Sequence, residues 1–332
     1  MSAAIAVPME RSGKELIDAS RPFAKDNPAL SWFHIVTTFS LLAAATAGAV
    51  LAPWWYAQAA LAVLAGLTAV RAFILYHDFM HLAILRGSLP ARVLFWFYGL
   101  YVLTPMRVWK QTHNYHHAHT AKIVGSHVGS YRMVTTEMWQ EMTAGDRLMY
   151  KITRHPLTIL FGFFTIFIYG MCLSSFLRNP KRHWDSLLAL IVHGAVAWAL
   201  VTTFGWPVYI FGLFIPLFVA TASGGYLFYA QHNFPDIEVK SRDEWSYTHA
   251  ALYSSSYMKT GPIMRFFTGN IGYHHVHHLN ATIPFYRLPE AMEAIPELRN
   301  PPVTSLAPKD IIACFKLKLW AADAEKMVGY PT

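Results

Sequence analysis

The sequence predicts an all-α integral membrane protein: four transmembrane helices in two hairpins, with a cytoplasmic helical cap that gathers histidines. Three observations lead there. Only 14% of the 332 residues are charged, while 54% are hydrophobic and 15% aromatic, against roughly 25% charged in a soluble domain. The few charges avoid two long stretches, since no Lys, Arg, Asp or Glu occurs from Asn27 to Val70 or from Ser186 to Pro235. Finally, the 17 histidines, many for so uncharged a chain, recur at fixed spacings. Disorder is excluded, because 11 Trp, 17 Tyr and 22 Phe supply ample surface to bury. Cys172 and Cys314 form no C-x-x-C pair, which argues against a disulfide framework or a cysteine zinc site.

The first residues, Met1 to Asp26, are polar: Glu10, Arg11, Lys14, Glu15 and Asp18 rule out the apolar region of a signal peptide, so the first membrane helix must direct insertion. Each charge-free stretch is long enough for two crossings of about 20 residues. Each is also interrupted near its middle, by Ala52-Pro53-Trp54 and by Phe204-Gly205-Trp206-Pro207. Proline, glycine and interfacial tryptophan there read as tight turns at a membrane surface. The hairpins are therefore Trp32–Leu51 with Trp55–Leu75, and Leu187–Thr203 with Val208–Tyr229. Val93–Met106 is too short to cross and reads as interfacial or re-entrant. Leu157–Leu177 is long enough, but Lys151 and Arg154 precede it and Arg178, Lys181 and Arg182 follow. Equal basic flanks place it along the membrane rather than across it.

The result is a single domain over 1–332, with both termini cytoplasmic. An N-terminal segment (1–30) precedes the first hairpin (32–75), and a cytoplasmic and interfacial region follows (76–185). The second hairpin (187–230) leads into a cytoplasmic C-terminal region (231–332). The net charge of +8 then lies on the cytoplasmic face, as the positive-inside rule and anionic lipid require; the same face could dock an acidic partner.

The histidines fall into boxes. His77 and His81 form H-x-x-x-H, His113, His116 and His117 form H-x-x-H-H, and His274, His277 and His278 repeat it. Residues three or four apart share a helix face, so each box is expected to point its imidazoles at one locus. Chance placement gives roughly 0.04 copies of H-x-x-H-H in such a chain, and there are two. Imidazole suits zinc, copper, iron and nickel, and eight ligands exceed the three or four of one zinc site. Two metals follow. His232 is a ninth candidate ligand, and Asp78 can orient His77 through its other ring nitrogen. His34, His155, His183 and His249 read as packed, non-ligand residues. The roles of His193, His119, His127 and His275 are open at this level.

From about Arg71 onward the chain resembles the membrane fatty acid desaturases, in particular the acyl-lipid branch that includes the delta-12 enzymes. The three boxes match in order and spacing, Tyr226 to Phe234 resembles the segment with an additional metal histidine, and Phe267 to Tyr273 leads into the third box in the family manner. The resemblance implies two iron ions held by His77, His81, His113, His116, His117, His232, His274, His277 and His278. It implies O2 as co-substrate and insertion of a cis double bond into an acyl chain of a membrane lipid. Where the family has small residues in its first box, this chain has Phe79, Met80 and Leu82, bulk expected to reshape the substrate channel. No G-x-G-x-x-G fingerprint is present, so electrons are expected from an external ferredoxin or cytochrome b5-like donor. No nucleic-acid partner is expected, and a bacterial inner membrane is the expected location. Related outcomes of the same metal chemistry are a hydroxylase, an acetylenase or a carotenoid oxygenase. A zinc-dependent membrane hydrolase would need a motif such as H-E-x-x-H, which is missing, and a metal transporter would need ligands within the spans.

Overall fold

The computed structural model describes residues 11–331; the first ten residues of the N-terminal segment, Glu10 among them, and Thr332 lie outside the described residues. Helix α1 (Gly13–Ser20) precedes α2 (Pro28–Leu51). The Asn27 side chain accepts from the Leu30 N–H at the start of α2, where Pro28 needs no partner for its nitrogen. After the Pro53 turn comes α3 (Trp55–Met80), then α4 (Leu89–Tyr101) and α5 (Met106–Ala118). Two further long helices, α6 (Trp184–Phe204) and α7 (Trp206–Gln231), flank Gly205, whose φ of +87° favours glycine. Among the described residues, α2, α3, α6 and α7 are the four helices long and apolar enough to cross a membrane, which marks a multi-pass membrane protein. Short helices follow, including α8 (Pro262–Phe267) and α9 (His274–Leu279). Among the described residues the strands are four of three residues each: Tyr257–Lys259 pairs in parallel with Val303–Ser305, and Leu319–Ala321 antiparallel with Lys326–Val328.

Helix α3 is the centre of the long-helix bundle. It packs along both α2 and α7, and small residues make this possible. At Gly66 a Cβ would come 2.6 Å from Val219 Cβ and 2.8 Å from the Pro216 carbonyl oxygen. Pro216 also lacks the N–H that would continue the helical ladder, and the π-turn Ile210–Phe214 lies just before it. Gly66→Ala is therefore expected to push α3 off α7 and to destabilise the protein by about 1–3 kcal/mol, as overpacking does. Gly48→Ala meets only the flexible end of Leu61 and should be nearly neutral. Thermal unfolding of the two variants in detergent measures the difference.

Arg71 is the one Lys or Arg within α3, and it is buried. It donates to Thr38 Oγ1 of α2 (3.1 Å) and to the Phe266 carbonyl of α8, lies 3.3 Å from His34 Nδ1, and stacks over the Phe266 ring at 4.1 Å. A guanidinium costly in an apolar bundle is thus satisfied by two elements, α2 and α8, and fastens α8 to the first hairpin. His34 accordingly packs against Arg71, Phe285 and Tyr286.

The two ambiguous apolar stretches behave differently. Helix α4 exposes Leu89, Val93 and Phe97, one stripe at a four-residue spacing, while Tyr98 donates to the Ala69 carbonyl of α3 at 2.6 Å. The 157–177 stretch is a short helix, Pro156–Leu160, continued by a π-helix, Phe163–Ser174. It wedges between the arms of the second hairpin: Phe163 touches His193 of α6 and Phe214 of α7. His193 therefore has an aromatic neighbour rather than a polar one. The N-terminal segment meets the C-terminal region, where Arg11 forms a bidentate pair with Glu297 (2.8 Å for both contacts) and Asn280 Nδ2 donates to Ser20 Oγ at 2.8 Å.

Candidate metal centre

The histidines are delivered by three kinds of element. His77 lies in the last turn of α3 and His81 caps it, His113, His116 and His117 occupy the last turns of α5, and His274, His277 and His278 make up half of α9. His232 is the first residue beyond α7. All nine meet in two groups. His77, His81, His113, His117 and His277 bring one nitrogen each within 4.8 Å of one another, and His116, His232, His274 and His278 do the same. The groups are neighbours, with the rings of His117 and His278 stacked at 4.2 Å.

This corrects the expectation of one locus per box. Each H-x-x-H-H box divides: the pair four apart goes one way and the remaining histidine the other. His113 and His117 enter the group of five while His116 enters the group of four; His274 and His278 enter the group of four while His277 enters the group of five. Helical geometry explains it, because residues four apart are nearly aligned and their neighbour is turned by about 100°.

Inside the groups the Nε2 atoms stand close together. His113 lies 3.2 Å from His77 and 3.1 Å from His117, which is 3.1 Å from His277. In the other group His232 lies 3.0 Å from His116 and 2.9 Å from His274, which is 3.1 Å from His278. A metal–imidazole bond of about 2.1 Å places adjacent ligand nitrogens about 3 Å apart, so the spacing fits metal coordination. The outward nitrogens agree. His77 Nδ1 lies 3.1 Å from Asp78 Oδ1, and His232 Nδ1 3.2 Å from the Ser254 carbonyl. The Ser254 carbonyl only accepts, as does Asp78 as a carboxylate, and against such partners the Nδ1 atoms carry the proton and Nε2 is left as a lone pair. Thr120 Oγ1 donates to the His116 carbonyl and so accepts from His278 Nδ1 at 3.3 Å.

Burial holds His113, His116, His117, His274, His277 and His278 well below the usual imidazole range, and neighbouring imidazoles add to it. It pushes His232 down to about 4. Neutral imidazoles with inward lone pairs are the donors a transition metal requires.

Asp78 does more than face His77. Its other oxygen accepts the Phe285 N–H at 2.7 Å, so one buried carboxylate ties the first box to the chain beyond the third. Phe79 lies on the opposite side of α3 from the histidines and packs against Phe95 of α4, so its bulk falls away from the metal groups. The remaining histidines stand outside both groups, His183 among them as a buried residue. His275 Nε2 meets the Leu298 carbonyl at 3.1 Å, His119 stacks on Tyr115 at 3.8 Å, His249 sits 3.2 Å from Glu238, His155 caps a short helix, and His127 is exposed. Trp109 escaped notice in the sequence although it is four residues before His113 on α5; its ring stacks on that histidine at 4.3 Å. Thr120 and Ser254 carried no signal, because their role depends on contacts between distant segments.

About two turns below His77, an apolar cavity of about 100 Å³ lies between α3, α7 and α8, lined by Leu67, Val70, Leu227, Met264 and Phe267 among others.

Comparison with known proteins agrees with the geometry. The fatty acid desaturase family matches residues 52–305. A fatty acid desaturase of Bacillus subtilis is 30% identical over 273 residues, which cover 82% of this chain and 77% of the relative. Two proteins described as sn-1 oleoyl-lipid 12-desaturases, from Picosynechococcus sp. and Synechocystis sp., are each 24% identical, over 81% and 82% of this chain and 77% of either relative.

Proposed function

Because this chain belongs to the fatty acid desaturase family, we propose that it introduces a cis double bond into the acyl chain of a membrane lipid, using two irons, O2 and electrons from an external donor. The observation that carries the reading is the division of nine histidines, most of them buried, into adjacent groups of five and four. Two irons bound there would supply the oxidant that an unactivated methylene demands and that no side chain provides. The overall change removes two hydrogens from adjacent carbons and, with O2, two electrons and two protons, leaves an alkene and two waters.

The chain's own residues have separable tasks. Asp78, Ser254 and Thr120 keep the Nδ1 protons of His77, His232 and His278 outward, so that the inward nitrogens stay free to bind metal. Burial of the groups keeps bulk water from the reacting carbons. The apolar cavity beneath the first box is the right chemistry for the methyl end of an acyl chain. The two relatives described as acting on an oleoyl lipid support a lipid-borne substrate. The contact of Arg11 with Glu297 supports placing both termini on the histidine side of the bundle, which the basic loops assign to the cytoplasm of a bacterial inner membrane. A ferredoxin or cytochrome b5-like protein would meet that face.

Expression in a host that lacks its own desaturases tests the reading. A new unsaturated acid in the host lipids, identified by mass spectrometry, is the expected product. Hydroxylated acids, or altered carotenoids with unchanged acyl chains, would overturn it.

A further inference from the structure

The outward nitrogens of the group of four are not equally provided for. His232 and His278 each have an acceptor for Nδ1, whereas His116 Nδ1 and His274 Nδ1 are buried without a partner; of these two residues, His116 lines a cavity. Another buried atom in the same condition, Ser126 Oγ, belongs to a residue that lines the same cavity as His116. The two residues are 2% and 6% exposed, and both line one small cavity, together with Tyr131, His232 and Ser254. The cavity leaves about 20 Å³ for the centre of a water-sized sphere, which is room for one molecule.

A buried hydroxyl and a buried imidazole nitrogen left unmade would each cost the desolvation of a polar group. One water between them repairs both, accepting from His116 Nδ1 and sharing a hydrogen bond with Ser126. We infer that this cavity is a water site, and that Ser126 through its water is a positioning residue for His116. The water performs for His116 what Asp78 performs for His77: it holds the proton on Nδ1 and turns the Nε2 lone pair toward the metal.

The surrounding chain is built to keep that site in place. Ser126 belongs to the connection after α5, in which Val124, His127 and Gly129 are exposed while Ser126 turns inward. Gly129 has φ +68° and its Cα packs directly on the Thr112 carbonyl of α5, where any side chain would collide. The connection is thereby pinned beside the helix that carries His113, His116 and His117.

The inference that Ser126 positions a ligand rests on metal binding by the group of four, and the test separates the two. The full-length protein is purified, stripped and reloaded with zinc, which needs neither O2 nor electrons, and is then challenged with a chelator. Ser126→Ala is expected to release one of its two zinc ions about tenfold more readily than the unaltered protein, the usual scale for a lost outer partner, with the other retained. Ser126→Val, which fills the cavity, is expected to release that ion at least as readily. Unfolding of the metal-free proteins should be nearly unchanged, which distinguishes positioning from general destabilisation. A high-resolution map of the unaltered protein should place a water within hydrogen-bond distance of both Ser126 Oγ and His116 Nδ1. Absence of that water overturns the site, and unaltered zinc retention in both variants overturns the positioning role. Failure of the unaltered protein to take zinc in either group would count against the proposed function, and against Ser126 as a positioning residue, while the map still decides the water.

Discussion

His277→Ala is expected to abolish the unsaturated product, a loss of more than about 100-fold, and to lower the metal content of the purified protein. Removing an outer hydrogen-bond partner of a metal ligand typically costs 10–100-fold, and His277 is itself a candidate ligand. It is fully buried, its Nε2 lies 3.1 Å from that of His117, and its ring stands 4.5 Å from His77 and 5.0 Å from His81. It is the single residue that brings the third box into the group of five. His275 is the control, since it is equally buried but turned to the Leu298 carbonyl. His275→Ala should lower stability and leave two metals per chain. Metal analysis and lipid profiles of the two variants at matched expression provide the measurement; persistence of the product in His277→Ala would remove the group of five from the chemistry.

Asp78→Asn is the second large effect, and its logic is tautomeric. The carboxylate accepts from both Phe285 N–H and His77 Nδ1. An amide in the same place has one accepting oxygen and one donating nitrogen. If the oxygen keeps Phe285, the NH2 faces His77 Nδ1, which must then accept, and the proton moves to Nε2 where the metal should bind. Metal affinity is expected to fall 10–100-fold while the fold survives, because shape and one hydrogen bond are retained. Asp78→Ala should lose as much affinity and in addition destabilise the protein by about 1–3 kcal/mol, the cost of an unpaired buried N–H. Metal titration paired with thermal unfolding resolves the variants. Equal stability loss in both would show that Asp78 acts as a structural staple and not through the tautomer of His77.

Much of this architecture could be read before any coordinates. The four long helices emerged from charge-free stretches and their Pro, Gly and Trp interruptions, because an apolar solvent imposes a length and composition that sequence records directly. The predicted Trp55–Leu75 stops short of the observed α3, which continues to Met80 and carries the first box on the same helix. The nine candidate ligands were legible from spacing and family resemblance, and all nine converge. Their allotment was not read. It follows from the opposite turn of neighbouring residues on α5 and α9, yet becomes visible only when both helices face each other. Arg71 interrupted the apolar pattern with no hint of its partners, since Thr38 and Phe266 lie far from it in the chain.

By itself, then, the sequence determined where the chain is apolar, which residues can bind metal and which family it resembles. Each of these depends on residue type at short range. Only the tertiary structure decided which histidines share a group, that Asp78 joins the first box to Phe285, and that Ser126 and His116 face one small cavity. Those facts concern directions and distances between segments far apart in the chain. The physical reason is that a hydrogen bond or a coordination bond is satisfied within a few tenths of an ångström, a precision that periodicity along one helix cannot carry from one element to another.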